Sequence, residues 1–410
     1  MNKPILTLAL LAACCTSAIA QQSFDIHVSN PSKTARKAAP VVLKLNSYKT
    51  EVRSALVTLD GKEIPSQLDD LDGDGRFDEL CFLTDIDKKQ QQTFRIELSN
   101  EGSPRAYAPQ VYAEMLLANK SQKVSNKQNL YISSLTVENG TNPYNFLHHH
   151  GPAFENELVA YRVYFDHRQT IDTYGKYRKG LEINDTKFYP TREQLDAGFG
   201  DDVLWVGSTF GLGTLRGWDG EKPQMLSDVE HRTERILSYG PLRTVVEVVD
   251  EGWKAPASAS RITMYTRYTL YAGRRDVFVD IRFDKPMSGM QFATGVINVK
   301  NSEEFSDKKG LRGCWGTDWP VSEKDSAGHK RETVGLAVCI PSKHIVSELP
   351  ADKDNYPYVI GNIDRELHYN ITFASANESF GFHSAKEWFE YLKEWKRELQ
   401  EPVVWRPADQ

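Results

Sequence analysis

ILSYG (236–240), LRTVVEVVDEGW (242–253), RITMYTRYTLYAG (261–273), DVFVDIRFD (276–284) and FATGVINV (292–299) follow one another with short breaks. Apolar and polar residues alternate within them, β-branched and aromatic side chains dominate, and Gly, Pro or Asp sits in the breaks. Alternation at period two marks half-buried strands, and runs spaced this closely pair as antiparallel neighbours. The expected centre of the fold is a large meandering antiparallel sheet. TVGLAVCIP (333–341) and HYNITFAS (368–375) extend it toward the C-terminus. The period then changes. Ser384 and Glu387 have capping-box spacing, Trp388, Tyr391, Leu392, Trp395 and Leu399 fall on one helical face, and Pro402 closes the run. One amphipathic helix is expected to lie on the sheet.

Toward the N-terminus, PVVLKL (40–45), SALVTL (54–59), LCFLTDI (80–86) and TFRIEL (93–98) are four further strand runs. The expected plan is a signal segment (1–20), a β-sandwich-like region (21–105) and a large β domain with its helix (106–410). Lys3, the apolar run Ile5 to Ala13 and the Ala18-Ile19-Ala20 site have the order of an export signal. Leu11-Ala12-Ala13-Cys14 also fits a lipoprotein box, which would anchor the chain through Cys14. Either way the expectation is an exported, periplasmic protein. No run is long enough for an integral membrane segment. The 410 residues carry a formal net charge of −6 and show no Lys/Arg stripe, which argues against a nucleic-acid partner. After cleavage Cys81, Cys314 and Cys339 remain, an odd and widely spaced set that makes no disulfide framework.

Ionisable groups concentrate in FLHHHGPAFENELVAYRVYFDHRQTIDTYGK (146–176), with four His, two Arg and four acids among apolar residues. As a strand, Glu155 to Asp166 puts Glu155, Glu157, Tyr161 and Val163 on one face and Arg162, Tyr164 and Asp166 on the other. A second extended piece sets Asp172, Tyr174 and Lys176 on a common face. Such a mixture suits a concave sheet face that handles a polar ligand. Trp205 and Trp218 are candidate stacking platforms for sugar rings.

DDLDGDGRFDEL (69–80) places Asp70, Asp72, Asp74 and Asp78 at the first, third, fifth and ninth positions of a calcium loop, with Gly75 at the turn. Cys81 stands where a closing Glu belongs, so a structural Ca²⁺ loop competes with a solvated acidic turn. GLGTLRG (211–217) has the wrong glycine spacing and no following helix for a dinucleotide loop, and close backbone approach explains its glycines better. No organic cofactor is expected.

GPAFENELVAYRVYFDHRQTIDTYGK (151–176), the acidic turn and the closing Trp-rich helix together resemble an exported Bacteroidetes family of unassigned function, similar to galactose-mutarotase-like β-supersandwich proteins. The resemblance implies an antiparallel β-supersandwich and a carbohydrate partner, since members accompany enzymes that dismantle uronate-containing polysaccharides such as pectins. It assigns no catalytic residue. Elimination at a uronate needs a cation for the C6 carboxylate, a base for C5–H and an acid for the leaving oxygen. His150, Arg162, Asp172, Tyr174 and Lys176, with Glu157, are the expected catalytic set. Arg162 would grip the carboxylate, and His149 and Arg168 would add substrate contacts. Glycoside hydrolysis, sugar epimerisation and non-catalytic sugar binding are the alternatives.

Overall fold

The computed structural model describes residues 21–48, 51–118, 130–256 and 258–408. The signal segment, both of its processing readings and Cys14 lie outside these residues. The chain is mainly β, antiparallel and sandwich-like.

Strands His231–Tyr239, Arg243–Trp253, Ile262–Tyr271 and Asp276–Phe283 form the expected meander, but its expected fifth run, Phe292–Ile297, leaves it and pairs in a different sheet. Glu366–Ser375, Glu332–Cys339, Leu311–Asp318 and Glu303–Ser306 extend the meander on one side and Ser134–Glu138 on the other, giving nine strands. Alternation decides what faces inward: Ile262, Met264, Tyr268 and Leu270 are buried while Thr263, Tyr265 and Arg267 between them are not. Two five-stranded sheets cover that inner face. One pairs Val111–Glu114, Ala153–Asn156, Ala160–Val163, Ile171–Gly175 and Asp201–Asp202; the other is centred on Phe292–Ile297 and Asn355–Ile360. Phe154, Tyr161, Val246, Tyr268, Val296 and Phe373 belong to the shared core. Two isolated bridges, Ile171 to Gly211 and Leu212 to Val296, link the two smaller sheets through residues 211–212. There Gly211 (φ +53°) and Gly213 (φ +76°) leave no room for a Cβ, which would come within 2.3 Å of Thr170 and Ile371 respectively. The glycine run thus serves close packing.

The N-terminal region is a smaller sandwich with its own core, including Val28, Leu43, Phe82 and Phe94. The closing strand Val404–Pro407 pairs with Gln21–Ser29, so the C-terminal end of the chain returns to this sandwich. Arg243, from the large sheet, reaches Asp69 at 2.6 Å and Glu79 at 2.7 Å and ties the two cores together. Helix Ala385–Gln400 buries Trp388, Leu392 and Trp395 against Leu311, Trp315 and Ala337. Ser384 caps it by accepting from Glu387 N, whereas the Glu387 carboxylate accepts from His383 N rather than from Ser384. Among the described residues no helix is long and apolar enough to cross a membrane.

The continuous strand expected over Glu155 to Asp166 is instead a hairpin, Ala153–Asn156 paired with Ala160–Val163. Asn156 Oδ1 accepts from Leu158 N and Val159 N, a side-chain-closed turn that reverses the chain. Reversal puts Glu157 at the hairpin tip, where its carboxylate accepts from Gly273 N at 3.2 Å.

Candidate functional site

The hairpin register decides which side chains meet. Glu114, Ala153, Arg162 and Asp172 form one cross-strand row; Tyr112, Glu155, Ala160, Tyr174 and Asp202 form the next. Phe154, Tyr161 and Val163 point the other way, into the sandwich core. The outer face therefore carries nearly every ionisable group of the sheet. It is not an open floor. Residues 182–200, with short helices Ile183–Thr186 and Arg192–Asp196, roof it, and Ile183 and Phe188 pack on Ala153, Ala160 and Tyr174. Three separate hydrogen-bonded groups lie underneath.

Arg162 centres the first. Its Nε and Nη2 fork onto Asp172 Oδ2 at 3.0 and 2.6 Å, Nη2 also reaches Asp202 Oδ2 at 2.8 Å, and Nη1 donates to the Tyr189 hydroxyl at 2.6 Å. Phe188 stacks on the guanidinium 4.3 Å away. With two carboxylates already on its fork and a side chain only 3% exposed, Arg162 is not presented to a substrate carboxylate. Burial first, and then Asp172 competing for the same cation, pushes the Asp202 carboxyl well above its usual range. In the second group, Lys176 donates to Glu155 Oε2 at 2.6 Å, and Glu155 Oε1 accepts from Glu182 N and Ile183 N. Both side chains are fully buried. Tyr174 is not Lys176's neighbour in this scheme. Its hydroxyl faces Gly200 O at 2.7 Å and Glu182, and burial together with Glu182 raises its pKa, the reverse of what a base requires. In the third, buried His149 bridges Glu114 at 3.2 Å and Gly151 O, while Lys187 reaches Glu114 at 2.7 Å.

The remaining candidates lie at the rim or elsewhere. His150 stacks on Tyr144 with ring centroids 3.7 Å apart, its Nδ1 meets Tyr144 O, and burial lowers its pKa to about 4. It is neutral at pH 7 and poorly matched to proton transfer there. Arg168 grips Asp166 and lies over the rings of Tyr144 and Tyr164. Trp205 is half-exposed and stays available for stacking, but Trp218 packs with Phe210, Ala293 and Val359 and presents no open platform. In the acidic loop, oxygens of Asp70, Asp72 and Asp78 lie within 4.8 Å of one another. Asp74 is outside this group and accepts from Arg76 N instead. Burial first, then the charges of Asp72 and Asp70, raises the Asp78 carboxyl.

Asp202 has a second neighbour. With Asp201 it lines a cavity of about 430 Å³ whose walls include Tyr177, Arg192, Lys330 and Glu332. Lys330 Nζ donates to the Tyr177 hydroxyl at 2.9 Å and pairs with Glu332 at 3.2 Å. Those contacts outweigh burial and hold the ammonium above its ordinary pKa, so it is charged. Burial, then Glu332, raises the Asp201 carboxyl. A cation, a phenol and a carboxylic acid with an elevated pKa thus converge on one polar cavity, and the buried Arg162 group holds its edge. Sequence reading missed these residues because they come from three separate segments. The adjacent acids of FGDDV (199–203), just before an apolar run, were the one visible signal.

Fold and site together define a β-sandwich protein with a polar cavity beside a roofed, charge-bearing sheet. The chain belongs to the family described as domain of unknown function DUF4861, matched over residues 28–404. A solved structure described as a protein in glycosyl hydrolase family 38 from Enterococcus faecalis is similar at TM-score 0.50 and 9% identity, over 94% of this chain and 47% of that one. An α-mannosidase from Enterococcus faecalis V583 gives TM-score 0.47, 10% identity, and 94% and 46% coverage. The chain thus spans about half the length of these solved structures, and the likeness concerns fold alone. No curated protein matches the sequence.

Proposed function

We propose that the chain is an exported, periplasmic carbohydrate-active enzyme that cleaves uronate-containing, pectin-like oligosaccharides by β-elimination in the Tyr177–Lys330 cavity. The observation that carries this reading is the meeting of charged Lys330, Tyr177 and Asp201 around one cavity. Lys330, with Arg192, would offset the C6 carboxylate and so acidify C5–H. Tyr177, acting as the phenolate, would take that proton and become the neutral phenol, and the electron pair would expel the C4 oxygen, which Asp201 would protonate. The carbohydrate class is consistent with a sandwich fold shared with a glycosyl hydrolase family 38 protein. Purified protein incubated with pectin, ulvan and glycosaminoglycan fragments should raise absorbance near roughly 235 nm, where an unsaturated uronate absorbs, in step with new reducing ends. Reducing ends without absorbance would mean hydrolysis; binding without either would mean a sugar-binding module.

We further propose that Asp70, Asp72 and Asp78 hold a structural Ca²⁺, since three carboxylates this close repel without a counter-charge. A cation at a hundredfold excess over its Kd would add about 2.7 kcal/mol of stability. Chelation should lower the melting temperature by several degrees, and Asp72→Ala should do so without chelator. Unchanged melting in both experiments leaves the loop as a plain acidic turn.

A further inference from the structure

Arg36 opens strand Arg36–Lys44 of the small sandwich, where the pairing with Glu79–Ile86 slips between Arg36 and Ala39. A bulge of this kind re-aims the side chain beside it. Arg36 is 3% exposed and makes no ion pair among the described residues. Its Nη1 donates to Thr34 Oγ1 and Ala35 O, whereas Nε and Nη2 have no hydrogen-bond partner among the described residues. Glu394 is one hydroxyl removed: it accepts from Thr34 Oγ1 at 3.2 Å and pairs with Arg397. Arg36 lines a cavity of about 350 Å³ where the small sandwich, the large sheet and the end of helix Ala385–Gln400 meet. Ala39, Pro40, Phe278, Leu399, Pro402 and Val403 give it apolar walls. Two other charged groups line it, and they satisfy each other. Arg274 Nη1 donates to Glu398 Oε1 at 2.8 Å, and Arg274 Nε donates to Asp276 Oδ1 behind the wall at 2.8 Å. Asn370, opposite Phe278 in the strand register, adds a buried Nδ2 that has no partner among the described residues. The unanswered charge at this wall is therefore the Arg36 guanidinium.

We propose that this cavity is a second ligand site, for a small monocarboxylate with an apolar body. Nε and Nη2 form the edge of a guanidinium that takes both oxygens of one carboxylate in parallel bonds, and that edge is the part of Arg36 left without a partner. Asn370 Nδ2 supplies a further donor at the same wall. A single unmatched cation calls for a single negative charge, and the apolar walls favour an aliphatic or aromatic body over a sugar ring. The volume lies at the lower end of the range for ligand pockets. The cavity shares no lining residue with the Tyr177–Lys330 cavity, so the proposal stands whether or not elimination occurs there.

The test is calorimetric titration of the full chain with phenylacetate, its neutral analogue phenylacetamide, and galacturonate. Phenylacetate should bind at least about tenfold more tightly than either of the others. Arg36→Met keeps an apolar stem, orphans no paired carboxylate, and should erase the preference for the acid over the amide. Asn370→Asp, nearly equal in shape and at a half-buried position, sets a fixed carboxylate against that of the ligand. It should weaken phenylacetate at least about tenfold while leaving phenylacetamide within about twofold, and it keeps the test open if Arg36→Met melts early. Absent phenylacetate binding, or equal binding of acid and amide, overturns the proposal. So does galacturonate binding as tight as that of phenylacetate, a preference that persists in folded Arg36→Met, or phenylacetate affinity unmoved in Asn370→Asp.

Discussion

Replacing Arg162 by methionine is expected to cost about 3–5 kcal/mol of folding stability, the range for removing one partner from a buried ion group. The side chain is 3% exposed and Asp172 fully buried, so the variant leaves one carboxylate without its cation, held only by Tyr164 and Thr173 N, and loosens a second, Asp202. The Tyr189 hydroxyl also loses its donor, and Phe188 the cation stacked on it. Arg162→Lys keeps the charge but cannot fork onto Asp172 while holding Asp202, and should fall between. Adding Asp172→Leu to Arg162→Met should recover part of the loss, because the stranded charge is then gone. Arg192→Met is the control: its pair with Asp196 is solvent-exposed, of a kind that contributes about 0.3–0.5 kcal/mol. Denaturant unfolding of the four variants checks the series. Equal stability of Arg162→Met and wild type would mean that the outer face of the sheet is solvated rather than roofed.

Period-two alternation carried most of the architecture. It located the meander from 236 to 284, the four N-terminal runs and, through its change to a helical period, the closing helix. The central stretch was legible as a concentration of chemistry but not as geometry. Asn156 closes a turn with its side chain, and the apolar pattern of ELVAY continues through that turn, so a hairpin read as one strand. Burial was equally hidden. Arg162, Asp172, Tyr174 and Lys176 have the composition of a binding face, and only the roof over residues 182–200 turns them into internal pairs. That roof reads as a loop because its two helices have four and five residues, too short for a periodic signal. Glu234, fully buried in strand His231–Tyr239, shows the opposite failure. An acid in an alternating strand reads as an outward residue, yet the register of its strand turns it into the core.

The proposed elimination rests on Tyr177, one residue beyond the ionisable stretch 146–176. Tyr177→Phe keeps the ring and removes only the group that would carry the C5 proton. Loss of a general base costs on the order of 10²–10⁴ in rate, or about 2.7–5.4 kcal/mol of transition-state stabilisation. Stability should hardly change, since Tyr177 is only half-buried and Lys330 keeps its contact with Glu332. Asp201 must be protonated to serve as the acid, and its raised pKa extends activity upward in pH; the rate should fall as pH climbs through that value, and Asp201→Asn should be slow at every pH. The most direct measurement is therefore the rate of absorbance increase on a uronate oligosaccharide for wild type and Tyr177→Phe, with melting temperatures taken on the same samples. A loss of at least about a hundredfold at unchanged melting temperature is the predicted result. A folded Tyr177→Phe protein that turns over at the wild-type rate would contradict it and place the chemistry elsewhere in the molecule.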